Sequence, residues 1–176
     1  MTDSFRQPIV VAVTGHRDLV DSERNGIRER IRVLFSDIRA RYPDLELCLM
    51  SPLAEGADQL AAEVALEMSV DLLVPLPMPV AEYLEYFEDR KSRQMFGNLC
   101  DKAADTFVIA SDPKIQSRDE KYAELGIFLA SHCHILLAIW DGKESPEFGG
   151  TAQVVRFHHD DFIPGFEPKS RISQQM

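Results

Sequence analysis

The stretch VAVTGHRDLVDSE, residues 11–23, decides how the rest of the chain is read. It continues a run, IVVAV at 9–13, of β-branched and small apolar side chains. Such a run suits a strand covered on both faces, as in a parallel sheet. It passes directly into Thr14-Gly15-His16-Arg17. Further on, Ile27, Ile31, Leu34 and Ile38 recur at helical spacing, so residues 22–41 read as an amphipathic helix. Asp21 or Ser22 is the expected N-cap, and Pro43 follows as a stop signal. A strand ending in a glycine among a hydroxyl, an imidazole and a guanidinium has two readings. One is a plain turn. The other is an anion site, where Gly15 admits a guest close to the backbone and Arg17 supplies charge.

The alternation continues. Strands are expected at 45–50, 72–76, 106–110 and 134–140, and helices at 59–68, 118–133 and 152–157. Pro75 implies that the third strand ends there or lies at an edge. Tyr83, Tyr86 and Phe87 open a helical stretch that breaks near Arg90 and resumes toward Leu99, and these aromatics are expected in the core. Strands alternating with helices imply βαβ units and an α/β fold with a mostly parallel sheet of about five strands. Residues 1–160 read as one domain, and 161–176 as a polar tail or linker.

Nineteen Lys and Arg against 29 Asp and Glu give a net charge of −10. That surface repels phosphate backbones, so duplex nucleic acid is not an expected partner, whereas a local basic pocket for a small anion is compatible. No apolar run reaches the roughly 18–20 residues of a membrane span, and the N-terminus lacks the basic-then-apolar order of a signal peptide. The three cysteines are odd in number and share no CxxC spacing. They read as reduced thiols of a cytoplasmic protein. His132, His134, His158 and His159 match no metal-ligand spacing, and no metal site is expected.

Four segments follow strands, and a parallel sheet gathers such segments at one edge. TGHR (14–17) is the first. In SPLAEGAD (51–58), Ser51, Gly56 and Asp58 precede a helix whose free N–H groups and dipole attract anions. Glu55 would repel a phosphate there but suits ribose hydroxyls, and Asp58 serves equally as a cap. Gly149-Gly150-Thr151 is a second nest before a helix. Lys143 and residues 144–148 read as a flap. Trp140 ends the fifth strand and either stacks on a base or completes the core. Arg118, at a helix start, contacts either the same guest or a neighbouring carboxylate.

Taken in order, TGHR, SPLAEGADQLAAEVAL, RDEKYAELGIFLASHCHILLAIWDG and GGTA resemble the SLOG superfamily, which includes the Smf/DprA DNA-processing proteins, the LOG phosphoribohydrolases and the N-terminal domains of melastatin-type channels. The resemblance covers about residues 9–157. It implies a Rossmann-like three-layer sandwich that binds a nucleotide or a nucleotide-derived metabolite such as NAD or ADP-ribose. It also implies that Gly15, Arg17, Ser51, Glu55, Gly56, Asp58, Gly149, Gly150 and Thr151 line the pocket, with Thr14, His16, Arg118 and Trp140 beside them. Pairing into a homodimer occurs among such relatives. The chain lacks the proline, third glycine and glutamate of the LOG stretch PGGxGTxxE, and carries Glu55 where Smf proteins have an arginine, which together with the charge of −10 counts against single-stranded DNA binding in a positive groove and against a DNA-handling role. The expected function is therefore a nucleotide sensor or regulatory domain with a small-molecule partner. The alternative is an N-glycosidic hydrolase in which Glu55 or Asp141 stabilises an oxocarbenium ion or activates water.

Overall fold

The computed structural model describes residues 7–111, 114–115, 117–143 and 150–160. Strand β1 (Ile9–Gly15) leads into α1 (Asp21–Arg41), β2 (Leu47–Met50) into α2 (Ala57–Glu67), and β3 (Asp71–Leu76) into α3 (Val80–Leu84) and α4 (Arg90–Cys100). Strand β4 (Asp105–Val108) leads into α5 (Arg118–His132), and β5 (Ile135–Ile139) into α6 (Thr151–Asp160). The five strands form one all-parallel sheet in the order β4-β3-β2-β1-β5. Three strands follow β1 on one side and β5 lies on the other. The carboxyl ends of β1 and β5 therefore form the switch-point crevice at which open α/β sheets take ligands.

The apolar run at 9–13 is buried on both faces, as its composition requires. Val11 and Val13 pack with Ile31 and Phe35 of α1 and with Ala61 and Val64 of α2. Ala12, between them, faces Leu125 and Leu129 of α5. Helix α6 packs beside α5 through Ala130, Val154 and Phe157. The result is a Rossmann-like three-layer sandwich. Phe35 is fully buried, and a residue of that kind cut to alanine costs about 3–5 kcal/mol.

Two expectations are corrected. Neither Asp21 nor Ser22 caps α1: the N-cap is Val20, and Asp21 and Glu23 stand in the first turn, where negative charge complements the helix dipole. The second strand starts at Leu47, because Leu45 lies in the turn after α1 with its N–H donating to the Tyr42 carbonyl. Pro75 stands one residue before the end of β3, as expected, although that strand is internal and Pro75 lies opposite Phe107 of β4. The carbonyls of Leu72 and Leu76 serve the β4 side and that of Leu73 serves the β2 side. Position 75 would therefore donate toward β2, whose pairing already stops at Met50 opposite Leu73. A missing donor costs nothing there. Gly149, the flap residues 144–148 and the tail 161–176 lie outside the described residues.

Candidate functional site

A cavity of about 580 Å³ occupies the β1/β5 crevice. Thr14, Gly15, His16, Arg17, Asp58, Arg118, Trp140, Gly150 and Thr151 all line it. The chain ends that meet there are β1, the start of α5, the end of β5 and the start of α6. Thr14 Oγ1 donates to Thr151 Oγ1 at 3.4 Å, tying β1 to α6. The amides of Gln153 and Val154 return to the Gly150 carbonyl. Those of Thr151 and Ala152 stand ahead of these first helical bonds, beside the cavity.

Gly15 is required by packing as well as by access. A Cβ there would lie 2.4 Å from the Ala57 Cβ and 2.7 Å from the Ile139 carbonyl oxygen. Arg17 is held in place: Nη1 donates to the Tyr86 carbonyl at 3.3 Å and Nη2 to the Tyr122 hydroxyl at 3.1 Å. Arg118 lies over the Tyr86 ring, 5.1 Å from its centroid, and is half exposed beside Asp119 at 3.5 Å. Cation–π contact of this kind contributes about 0.5–1 kcal/mol at exposed sites. Arg118 thus has the freer guanidinium of the two.

Ser51, Glu55 and Gly56 do not line this cavity. Ser51 is fully buried, donating to the Asp58 carbonyl and accepting from the Leu53 N–H. Glu55 Oε1 accepts from the Asp89 N–H at 3.0 Å, which fixes the entry to α4. Gly56 has φ +83°, and a Cβ there would lie 2.1 Å from the Arg17 carbonyl oxygen. The Ala57 N–H donates to the His16 carbonyl. The start of α2 is therefore spent on holding the TGHR loop. Asp58 caps nothing: the N-cap is Gly56, and Asp58 Oδ2 accepts from the Ala54 N–H at 3.3 Å. Burial pushes its carboxyl up to about 7, against the opposing pull of that N–H and of Arg17.

Asp141 is exposed at the rim. Its Oδ1 accepts from the Lys143 N–H at 3.0 Å and lies 3.3 Å from His16 Nε2. The Lys143 backbone and ammonium, with His16, hold its carboxyl down at about 2. Trp140 Nε1 donates to the Lys143 carbonyl. His134 Nδ1 accepts from the Val10 N–H, and His132 stacks on Phe128.

Three tyrosines missed by sequence reasoning line the cavity: Tyr83, Tyr86 and Tyr122. The sequence reading assigned Tyr83 and Tyr86 to the core, and Tyr83 is fully buried there, edge-on to Phe87 and Phe96. Among the described residues its hydroxyl has no hydrogen-bond partner, and burial drives its pKa well above the ordinary value. The available signal was a hydroxyl at a position where phenylalanine would pack equally well.

No family model matches the chain, and no curated protein does. Solved structures share the fold, two of them as follows. One is DNA processing protein A (DprA) from Streptococcus pneumoniae: 15% identity, TM-score 0.58, covering 88% of this chain and 48% of that one. The other is the same protein from Helicobacter pylori, described for its single-stranded DNA binding mode: 14% identity, TM-score 0.56, covering 86% of this chain and 62% of that one. This chain thus spans about half to three-fifths of their length. The expectation of a small-molecule partner alone is corrected by this finding, because a protein of the same fold engages a nucleic acid strand. Among the described residues, no helix is long and apolar enough to cross a membrane.

Proposed function

We propose, taking the Smf/DprA-like SLOG fold as premise, that this protein binds one nucleotide unit of a single-stranded nucleic acid in the β1/β5 crevice. The phosphate lies against Arg118 and the first turn of α6, and the sugar and base enter the cavity. The observation that carries the reading is the convergence of Gly15, Arg118, Gly150 and Thr151 on one cavity of about 580 Å³. That volume falls within the roughly 300–1,000 Å³ typical of ligand pockets. A helix N-terminus beside an arginine supplies both the dipole and the charge that a phosphate needs.

The net charge of −10 sets the scale of the contact. It opposes an extended basic groove tracking many phosphates. It does not oppose a pocket that takes one. Binding without cleavage suits the geometry better than N-glycosidic hydrolysis, because Glu55 is turned to the Asp89 amide. In this reading the chain acts as a sensor of strand-borne nucleotide.

Fluorescence anisotropy with a labelled single-stranded oligonucleotide tests the proposal. Saturable binding is expected, with Arg118→Ala weakening it about tenfold, or ~1.4 kcal/mol, at unchanged melting temperature. For one or two phosphate contacts on a single strand, log K against log salt has a slope of about −0.7 to −1.4. No saturable binding, or an Arg118→Ala variant that binds as tightly as the parent, overturns it.

A further inference from the structure

We infer that Tyr83 and Asp58 form a subsite at the cavity floor that reads the hydrogen-bonding edge of a nucleobase, so that binding discriminates among bases. The inference rests on the nucleotide reading above and goes beyond it by naming which part of the guest is recognised, and by what.

Tyr83 and Asp58 both line the cavity. They come from different elements, α3 and α2, and each is at least nine-tenths buried. Among the described residues, the Tyr83 hydroxyl lacks a partner. A buried hydroxyl without a hydrogen bond is destabilising, and such groups persist where a guest or a function uses them. The two residues lie within electrostatic reach of each other and of Arg17.

The chemistry selects a base over the other parts of a nucleotide. A phosphate is a poor guest beside the buried Asp58 carboxyl, which lines the cavity away from Arg118's own α5. Leu125, Leu129 and Val154 line it as well. Apolar walls with a polar floor match a flat heterocycle, whose faces are apolar and whose edge donates and accepts. A tyrosine hydroxyl does both. Burial holds the Asp58 carboxyl at about 7, so near neutrality it too offers a proton as well as a lone pair. A site that hydrogen-bonds an edge rejects guests that leave its polar groups unpaired.

The test uses four single-stranded homo-oligonucleotides, of dA, dC, dG and dT, with a ribose version of the tightest binder. The parent protein is expected to show at least a tenfold spread in Kd across the four. Tyr83→Phe collapses that spread to within about threefold while melting at the same temperature as the parent or higher, because it removes an unpaired buried hydroxyl. Asp58→Asn, which keeps an acceptor for the Ala54 amide, changes the order of preference. Equal parent affinities for all four bases overturn the inference while leaving the nucleotide reading intact. So does a Tyr83→Phe variant with the spread preserved. A Tyr83→Phe effect confined to the ribose-to-deoxyribose ratio assigns the floor to the sugar and overturns the base assignment. If the parent binds none of the strands, the nucleotide reading fails first and this one with it.

Discussion

Two turns carry a glycine into a helix at the same edge of the sheet, and they do opposite things. At the start of α2, Gly56 lies under the Arg17 carbonyl, and the Ala57 amide is taken by the His16 carbonyl. At the start of α6, Gly150 and Thr151 open onto the cavity. In sequence the pair are near-equivalent, each a small residue ahead of a helix with a polar side chain in its first turn. The difference arises from which backbone docks against them. A helix N-terminus has four amides to satisfy. Where another loop satisfies them, the glycine is a packing device. Where, among the described residues, no loop docks against them, the same chemistry is open to a guest.

The largest effect expected from that contrast is at Gly56. Gly56→Ala puts a methyl into backbone at 2.1 Å and forces an L side chain to φ +83°. Strain at such a φ costs about 1–3 kcal/mol, and overpacking against groups that cannot rotate away adds about 1–3. Urea unfolding is expected to show a loss of roughly 3–5 kcal/mol. A loss under about 1 kcal/mol would mean that the α2 turn is loose, and the contrast with α6 would dissolve.

Asp58 gives the next effect, and it depends on pH. Its carboxyl ionises near the ordinary value of 3.8 when unfolded and at about 7 when folded, because burial disfavours the charge. Arg17 opposes this shift. For a raised folded value, the stabilising contribution is complete below about 3.8 and is lost as pH rises to about 7. Asp58→Asn carries no such dependence. Its stability relative to the parent therefore rises across that window, by at most about 4 kcal/mol at 1.36 kcal/mol per unit, and is level above it. Thermal melts of both proteins from pH 4 to 8 measure this. A pH-independent difference would show that the carboxyl is ionised in the folded state.

The sheet was legible because its signal is local. A run such as IVVAV has to be covered on both faces, and Val11, Ala12 and Val13 alternate between the two layers as that demands. The cavity was legible through the residues at strand ends, Thr14 to Arg17 and Trp140, because parallel strands bring their carboxyl ends together whatever their order. Ser51, Glu55 and Gly56 were not separable from these by sequence. Backbone atoms of Asp58 and Asp89 hold Ser51 and Glu55, and Gly56 is packed under the Arg17 carbonyl; contacts made by backbone atoms leave no side-chain signature. Tyr83 was hidden differently. It satisfies the spacing of a core residue and is one, and only its unpaired hydroxyl separates it from Phe87.

The smallest effect concerns the clasp between the open turn and the sheet. Thr14 is buried and its hydroxyl meets that of Thr151 at 3.4 Å, at the long end for a neutral hydrogen bond. A double-mutant cycle with Thr14→Val and Thr151→Val is expected to give a coupling of about 0.5 kcal/mol, the low end for such bonds. The value matters more for function than its size suggests. The α2 turn is fixed by backbone packing that no guest can rearrange. The α6 turn meets β1 through the hydroxyl pair of Thr14 and Thr151, while the helix behind it is held on α5 by Val154 and Phe157. A coupling near 2 kcal/mol would mean that α6 is pinned as firmly as α2, and the two turns would then differ in exposure alone.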